Sequence, residues 1–497
     1  MRLIVVILIF FFSATFAIAQ HGPTCSKQRT AFYSSNRSAT LSLAYIALTQ
    51  EYDVHHYLLD IAMERTSTDV AGSVEIHVTT VAAVLDTFLF ELHDDLVISD
   101  ILLNGATSQP FTHIGSAVIV PCSFVAGDQF YMKVFYSGTP PDAASSAFGA
   151  AAVTNDFSPT WGNQVTWTLT QPFSAYEWFP CKQSLNDKAD SVWVFVTTSN
   201  ENKAGSQGVL TNITDMGGGL DRYEWKSNYP VDYYLISIAI AEYVEYTIFA
   251  NPTGAAGPIP IQNFIYNNPS CLPYFTTEIN NTVDFVEHFS DLYGLYPFEL
   301  EKYGHCMAPI GGGMEHQTMT TQGYFDDWLT AHELGHQWFG DHVTCGSWAD
   351  IWVNEGFASY SEELMLEEFY PGDEATSMQD RHDDVMSAPN GAVWCEDSLN
   401  PARIFDSRLT YNKGAAIIHT MRFLMDDDAD FFQTLKDYQS AFSFENAKGD
   451  DVKDIAEAVT SLDFDPFFNE WYYGEGFPTY GIEYVKIGDS LFVQLEQ

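Results

Sequence analysis

Two histidines four residues apart constrain this chain more than any other feature. His332 and His336 close the pentapeptide HELGH. On an α-helix, residues at this spacing lie on one face, one turn apart, so both imidazoles can reach the same point. Two neutral imidazoles can hold a zinc ion there, and Glu333 beside the first can accept a proton from a water at the metal. The motif therefore predicts a helix that carries a metal site.

A catalytic zinc site needs a third protein ligand and one open coordination position. Glu355 follows His336 by nineteen residues and opens a second helical pattern, EGFASYSEELMLEEF. A helix–loop–helix turn would bring its carboxylate against the two histidines. The sequence thus predicts one zinc ion per chain, held by His332, His336 and Glu355. Four glutamates farther along this helix are expected to be solvated: Glu362, Glu363, Glu367 and Glu368.

Three consecutive glycines precede the predicted zinc helix, in the stretch IGGGMEHQTM. Glycine is tolerated in a strand where another backbone must come close, although the glycines alone would equally fit an ordinary turn. Alternation along an extended strand would turn Glu315 to the face opposite Met314 and His316. Four histidines are expected to be ordinary neighbours rather than metal ligands: His305, His316, His342 and His419.

These motifs together resemble the zinc aminopeptidases of the alanyl aminopeptidase and leukotriene-A hydrolase family, which are gluzincins. That family places a Gly-Ala-Met-Glu-Asn strand before the zinc helix, and Gly312-Gly313-Met314-Glu315-His316 stands there in this chain. The segment LTYNKGAAIIHTM resembles the family's Tyr-x-Lys-Gly segment. TQPFSAYEWFPCKQ resembles its Gln…Ala-Arg…Phe-Pro-Cys segment, with Tyr176 in place of the arginine. The resemblance spans residues from about 50 to 480.

The resemblance implies a secreted, bacterial-type zinc aminopeptidase that hydrolyses the N-terminal peptide bond of peptides. Glu333 would be the general base, and Tyr411 would stabilise the oxyanion. Glu315, helped by Gln171, would hold the substrate amine, so the partners would be peptides with a free N-terminus. The substrate-binding residues it implies are Gln171, Gly312, Gly313, Met314 and Glu315.

Three other functions stay open at this point. A thermolysin-like endopeptidase would share the zinc ligands but would not need Glu315. An epoxide hydrolase of the leukotriene type would share the scaffold. A peptide-binding protein without activity would ordinarily have lost Glu333 or a ligand, and none is lost here.

The patterning along the chain predicts a multidomain α+β protein. Residues 51–247 alternate like strands and predict a β-rich domain, which the resemblance makes saddle-like. Residues 248–476 turn helical and predict a mainly helical zinc catalytic domain, thermolysin-like by the same resemblance. Residues 477–497 return to alternation, as the start of a C-terminal β unit. The Gly/Pro-dense stretch 250–260 predicts a linker between the first two domains.

The chain begins with an apolar run from Leu3 to Phe12, followed by Ala17-Ile18-Ala19. Residues 1–19 therefore predict a secretory signal peptide, followed by an N-terminal extension over 20–50. An uncleaved anchor is the alternative. We expect a secreted or periplasmic protein that is not inserted in a membrane after cleavage.

The composition is strongly acidic, with 66 Asp and Glu against 21 Lys and Arg and a formal net charge of −45. Such a surface repels nucleic acid and anionic membranes, so no nucleic-acid partner is expected. Seven cysteines in an oxidising compartment predict one or two disulfides. The oligomeric state is not indicated.

Overall fold

The structure is a computed structural model that describes residues 42–144 and 151–496. The predicted signal peptide, most of the N-terminal extension and Cys25 lie outside the described residues. The first described element is helix α1, Leu43–Thr49. It begins at Ser42, whose side chain accepts a hydrogen bond from the backbone N–H of Tyr45.

Strands dominate the N-terminal half, as the alternating pattern predicted. In strand β1, Tyr57, Leu59 and Ile61 are buried while the residues between them are half-buried, which is the period of a sheet with one packed face. The strands are β1 (Tyr52–Glu64), β2 (Ser67–Thr80), β3 (Val84–Glu91), β4 (Leu96–Leu103), β5 (Thr107–Ser108), β6 (Thr112–Ile114), β7 (Ala117–Val125), β8 (Gln129–Gly138), β9 (Val153–Phe157), β10 (Gln164–Thr168), β11 (Ser191–Ser199), β12 (Lys203–Gly205), β13 (Val209–Gly217), β14 (Leu220–Ser227) and β15 (Ala239–Ala241).

These strands form an eight-stranded sheet in the order β13-β14-β11-β1-β2-β8-β4-β5. They also form a four-stranded sheet, β12-β15-β10-β9, and a three-stranded sheet, β3-β7-β6. Two short 3₁₀ turns, Ala175–Glu177 and Tyr233–Leu235, lie in the connections.

Helices dominate the second half, around one further sheet of five strands. Its elements in chain order are β16 (Tyr243–Ala250), β17 (Ile259–Tyr266), α2 (Cys271–Tyr293), β18 (Tyr303–Met307), β19 (Gly313–Met314), β20 (Thr320–Gln322), α3 (Asp327–Gly335), β21 (Thr344–Cys345), α4 (Trp352–Phe369), α5 (Glu374–Met386), α6 (Pro401–Ile404), α7 (Gly414–Met425), α8 (Asp428–Ala441), β22 (Asn446–Ala447), α9 (Gly449–Thr460), α10 (Asp465–Phe467), β23 (Gly481–Ile487) and β24 (Ser490–Glu496). A 3₁₀ turn at Trp348–Asp350 precedes α4, and π-helical turns cover Ser407–Lys413 and Phe468–Tyr472. The α+β multidomain class is thus confirmed.

The five-stranded sheet has the order β16-β17-β18-β20-β19, which leaves β19 as an edge strand. Strands β16 and β17 pair antiparallel from Tyr243↔Tyr266 to Ala250↔Ile259. The Gly/Pro stretch between them is therefore the loop of a hairpin, and its interpretation as a linker is wrong. The predicted boundary after residue 247 falls inside β16, although the domain division itself stays a prediction.

Strands β23 and β24 form a hairpin in which every residue is exposed. It corresponds to the C-terminal β unit in the prediction. Among residues 42–144 and 151–496, no helix combines the length and apolar character needed to cross a membrane.

The disulfide prediction is wrong for the described cysteines. Six of them are free thiols: Cys122, Cys181, Cys271, Cys306, Cys345 and Cys395. Five of the six are buried, so they pack as small apolar side chains in the core. The seven cysteines predicted disulfides because sequence alone does not show which thiols face each other.

Candidate active site

Helix α3 presents the HELGH motif as its last turn. The helix begins at Asp326, whose carboxylate accepts a hydrogen bond from the N–H of Leu329 at 2.7 Å. Its final residue, Gly335, faces α4 closely, because a Cβ built there would lie 2.6 Å from Ser361 Oγ. The glycine therefore permits the close packing of α3 and α4 that brings the third ligand to the histidines.

The structure brings His332, His336 and Glu355 together, all buried. The two histidine Nε2 atoms are 3.2 Å apart. Glu355 Oε2 lies 3.3 Å from His332 Nε2 and 3.1 Å from His336 Nε2. Three ligand atoms bound tetrahedrally at about 2.0–2.1 Å from zinc would be about 3.3 Å from each other. The triangle therefore fits a zinc ion at its apex and leaves the fourth position open.

A second buried group contains Glu315, Glu333 and His336, whose ligand atoms also lie within 4.8 Å of one another. It shares His336 with the first group. The first group uses both imidazoles of HELGH and has the edge lengths of a zinc tetrahedron, so we assign the metal to it.

The two histidines are oriented by hydrogen bonds from their other ring nitrogens. His332 Nδ1 donates to Glu362 Oε1 at 2.8 Å, and His336 Nδ1 donates to the carbonyl of Phe339 at 3.0 Å. Such contacts fix the tautomer that turns Nε2 toward the metal. Arg381 in turn binds Glu362 Oε2 at 2.7 Å and Glu363 Oε1 at 2.5 Å.

The expectation that Glu362 and Glu363 are solvated is therefore wrong, since they are 6% and 4% exposed. Glu367 and Glu368 are exposed, as expected. A signal for Glu362 was present in the sequence. It follows Glu355 by seven residues, or two helical turns, and so lies on the same face of α4.

Carboxylates dominate the electrostatics of this site. Burial lowers the pKa of His332, but Glu355 and Glu362 raise it by more, to about 10. Burial raises the pKa of Glu362, while Arg381 and His332 lower it to below its ordinary value. Burial and then Glu315 raise the pKa of Asp341 well above normal. A site with this excess of negative charge favours a bound dication.

Glu362 gives the first testable prediction. Glu362→Ala removes the acceptor for His332 Nδ1–H, so zinc affinity should fall roughly 10- to 100-fold, as for other partners of metal ligands. Competition with a chromophoric chelator measures this affinity. The matched control is Glu363→Ala, which removes the neighbouring carboxylate on the same Arg381 but no contact to a ligand. Equal zinc affinity in the two variants would contradict the assigned role.

The glycine stretch lies against the zinc helix. Gly312 has φ +147°, which favours glycine. A Cβ on Gly313 would lie 2.4 Å from Glu333 Oε1 and 2.6 Å from Glu333 Cγ. The family residue at this position is alanine. In this chain the glycine has no Cβ, and the Glu333 side chain occupies the space that a Cβ would take. Strand β19 contains only Gly313 and Met314, paired with Gln322 and Thr321.

Glu315 directly follows β19 and is fully buried. Gln171 Nε2 donates to Glu315 Oε1 at 2.9 Å, so a residue of the β-rich half reaches the site in the helical half. One carboxylate oxygen of Glu315 also lies within 4.8 Å of a ligand atom of Glu333 and of His336. The carboxylate proposed to hold an amine is thus next to the zinc ligands.

Tyr411 lies on the π-helical turn Ser407–Lys413 and is 1% exposed. Its ring stacks on that of His332, with centroids 6.0 Å apart and 19° between the planes. A π-helical turn inside a helix is frequent at functional sites. Tyr176, at the family's arginine position, is buried in the 3₁₀ turn Ala175–Glu177. Tyr176 therefore does not supply the positive charge that the family's arginine carries at this position.

The other histidines have ordinary partners. His305 Nδ1 contacts Asn263 Oδ1 at 2.7 Å, and burial lowers its pKa to about 3. His316 Nδ1 lies 3.0 Å from Thr321 Oγ1. His342 Nδ1 donates to Gln439 Oε1 at 2.7 Å. Within the described residues, none of these, nor His419, belongs to a group able to hold a metal.

Comparison with known proteins agrees with this geometry. The model of the peptidase family M1 domain matches residues 277–471. Aminopeptidase N of Lactobacillus helveticus is 36% identical over 30% of this chain and 19% of its own length. Glutamyl aminopeptidase of Bos taurus is 25% identical over 64% of this chain and 35% of its own. The probable aminopeptidase 1 of Sulfurisphaera tokodaii is 27% identical over 67% of this chain and 44% of its own length. The chain thus spans less than half the length of each of these relatives.

A solved structure shares the fold over nearly its whole length. The M1 zinc metallopeptidase from Deinococcus radiodurans, as a mutant bound to a Tyr-Ser-Ala substrate, superposes with a TM-score of 0.74 at 23% identity. The match covers 86% of this chain and 96% of that one.

The fold is that of the M1 zinc metallopeptidase structure, and the group of His332, His336 and Glu355 could hold the zinc ion that the family match and the structural neighbour indicate. More narrowly, the match of residues 277–471 to the peptidase family M1 domain and the similarity to the aminopeptidase relatives support an alanyl aminopeptidase-type family.

Proposed function

We propose that this chain is a zinc-dependent aminopeptidase that removes the first residue from peptides. The observation that carries the proposal is the buried pair of Glu315 and Gln171 beside the zinc ligands. A carboxylate there can bind the ammonium group of a substrate, which places the first peptide bond at the metal. A mutant of the structural neighbour from Deinococcus radiodurans was solved with a bound Tyr-Ser-Ala substrate, which supports a peptide as the ligand.

The zinc ligands in this proposal are His332, His336 and Glu355. When bound, zinc supplies a Lewis acid that activates water and polarises the scissile carbonyl. Glu333 accepts the proton of the attacking water and returns it to the leaving amine. The Tyr411 hydroxyl donates a hydrogen bond to the developing oxyanion. Glu315 and Gln171 hold the α-ammonium throughout.

The peptide backbone is proposed to lie along Gly312, Gly313 and Met314. What supports this is the position of β19 at the edge of its sheet, where an extended peptide can add as a further strand. The side-chain-free surface of the glycines permits that close approach.

Export is part of the same proposal. It is supported by the sequence alone: the short apolar run from Leu3 to Phe12 and the small residues at 17–19. The acidic composition is compatible with a protein that acts outside the cell on peptides rather than on nucleic acid.

The Glu315 side chain provides the test of this function. Wild type should cleave aminoacyl substrates and ignore their N-acetylated forms. Glu315→Ala should lower kcat/KM on the free-amine substrates roughly 10- to 100-fold, because a charge-assisted contact contributes about 1.5–3 kcal/mol. Zinc content should not change. Fluorogenic pairs with and without the acetyl group provide the measurement.

A matched control for this test is Glu301→Ala. Glu301 is another buried carboxylate of the helical half, and it accepts hydrogen bonds from Ser227 and Asn228, away from the metal. It should leave the ratio of free-amine to blocked cleavage unchanged. A wild type that cuts blocked peptides equally well would instead be an endopeptidase, and Glu315 would have no role in binding an amine.

A further inference from the structure

The chain after Glu315 makes a turn in an unfavourable conformation. The N–H of Met319 donates to the carbonyl of His316 at 2.9 Å, which closes a turn over residues 316–319. Its third residue, Thr318, has φ +60°. Glycine or asparagine is the usual residue at a turn position with positive φ, and a β-branched side chain there costs free energy. The turn therefore needs its surroundings to hold it.

Four hydrogen bonds from three parts of the fold hold Thr318, and the longest of them joins Lys302 Nζ to its Oγ1 at 3.4 Å. Its N–H donates to Gln337 Oε1 at 2.8 Å. Lys302 Nζ donates to its carbonyl at 2.8 Å. Its Oγ1 accepts from the N–H of Gly208, in the β-rich half, at 2.9 Å. All the polar groups of this strained residue are thus occupied.

Gln337 is the partner of this turn on the metal side. It directly follows the zinc ligand His336, just beyond the end of α3, and is fully buried. Besides accepting from Thr318, its Nε2 lies 3.4 Å from the carbonyl of Glu315. The Gln337 side chain therefore contacts the backbone at both ends of the segment 315–318, and it directly follows the zinc ligand His336.

We infer that Gln337 is a positioning residue that sets the place of Glu315 relative to the zinc ligands, with Lys302 supporting the same turn. The inference rests on the proposed function, because it concerns the amine that Glu315 would bind. An aminopeptidase needs a fixed distance between amine and metal, since a misplacement of about 1 Å can cost on the order of 100-fold. The covalent chain from Glu315 to His332 does not fix this distance by itself, because it passes through the strained turn.

The test compares two inhibitors on the zinc-loaded enzyme: an amino-acid hydroxamate and the same hydroxamate without its α-amine. Both bind through the metal, so the ratio of their inhibition constants isolates the amine contact. In wild type the amine should improve binding at least about 10-fold. Gln337→Met keeps the volume and removes both hydrogen bonds to the segment 315–318, together with the longer one from the Tyr296 hydroxyl at 3.3 Å. It should reduce that advantage on the order of 10-fold, with zinc content unchanged.

Gln439→Met is the matched control. Gln439 is also buried; it accepts from His342 Nδ1 and donates to the carbonyl of Trp338, just after the end of α3, at 3.0 Å. It has no contact with the turn among the hydrogen bonds described, so its loss should leave the inhibitor ratio unchanged. A merely structural role of Gln337 would weaken both inhibitors alike and would leave the ratio as in the control.

Lys302→Met is the second variant, which acts on the same turn from outside α3. It should also reduce the advantage that the amine gives to the inhibitor. This variant keeps the test available if Gln337→Met loses zinc or fails to fold. If wild type prefers the inhibitor with the amine and both variants keep that preference, the positioning role is overturned and the proposed function stands. A wild type without that preference would overturn the amine recognition of the proposed function, and the positioning role with it.

Discussion

Replacing Glu333 with glutamine should reduce turnover at least about 100-fold while zinc content stays near one ion per chain. Glutamine preserves the shape of the side chain but cannot accept the proton of the attacking water, and general-base catalysis typically contributes about 10²- to 10⁴-fold. Glu333 lies on α3 between the ligands and is fully buried. Its side chain is not one of the three assigned ligands, so the metal should remain.

Two measurements make this prediction specific. Zinc is quantified in the purified variant, and kcat and KM are determined on an aminoacyl substrate. KM should change much less than kcat, because the base acts in the chemical step rather than in binding. Glu363→Gln is the control, since it makes the same change on a buried glutamate of α4 that contacts Arg381 and no ligand. Undiminished turnover in the Glu333 variant would remove this residue from the mechanism.

The grouping of His332, His336 and Glu355 was predictable because its geometry is local. The spacing of His332 and His336 places them on one face of any α-helix, and the structure has that helix at Asp327–Gly335. Glu355 needed one further step, a turn between two helices, and it lies in the first turn of α4. Each inference used a periodicity that the backbone imposes on every sequence.

What sequence missed depends on contacts between distant residues. The turn at Thr318 is held by Lys302, Gln337 and Gly208, and none of these has a local pattern that shows the contact. The strand of Glu315 proved to be only two residues long, since β19 ends at Met314. Sequence alternation predicted the strand face on which Glu315 lies, but it could not predict that the amide side chain of Gln337 contacts the carbonyl of Glu315.

Two predictions were wrong because they relied on residue type alone, without knowledge of which strands or which charged side chains pair. The Gly/Pro stretch after Ala250 is equally suited to a linker and to a hairpin loop, and only the pairing of β16 with β17 separates them. Glu362 was treated as solvated because glutamate is usually exposed. Arg381, nineteen residues later, provides the charge that allows its burial, and this ion pair has no sequence signature.

Glu355→Ala should lose zinc and activity together. It removes one of three ligand atoms and leaves the two imidazoles, too few for a stable catalytic zinc site. Wild type should contain about one zinc per chain, and its melting temperature should fall on treatment with a chelator, because a ligand that binds only the folded state stabilises it. The variant should melt at the same temperature with and without chelator. Metal analysis and a thermal scan check both expectations.

Retention of zinc would be the informative failure of this last prediction. The buried group of Glu315, Glu333 and His336 also brings three ligand atoms within 4.8 Å. A Glu355→Ala variant with one zinc per chain and full turnover would move the metal to that group, and Glu315 could then not bind an amine. A combined Glu355→Ala and Glu315→Ala variant distinguishes the two arrangements. If Glu355 is the ligand, the second substitution should have no further effect on zinc content, because the metal is already lost.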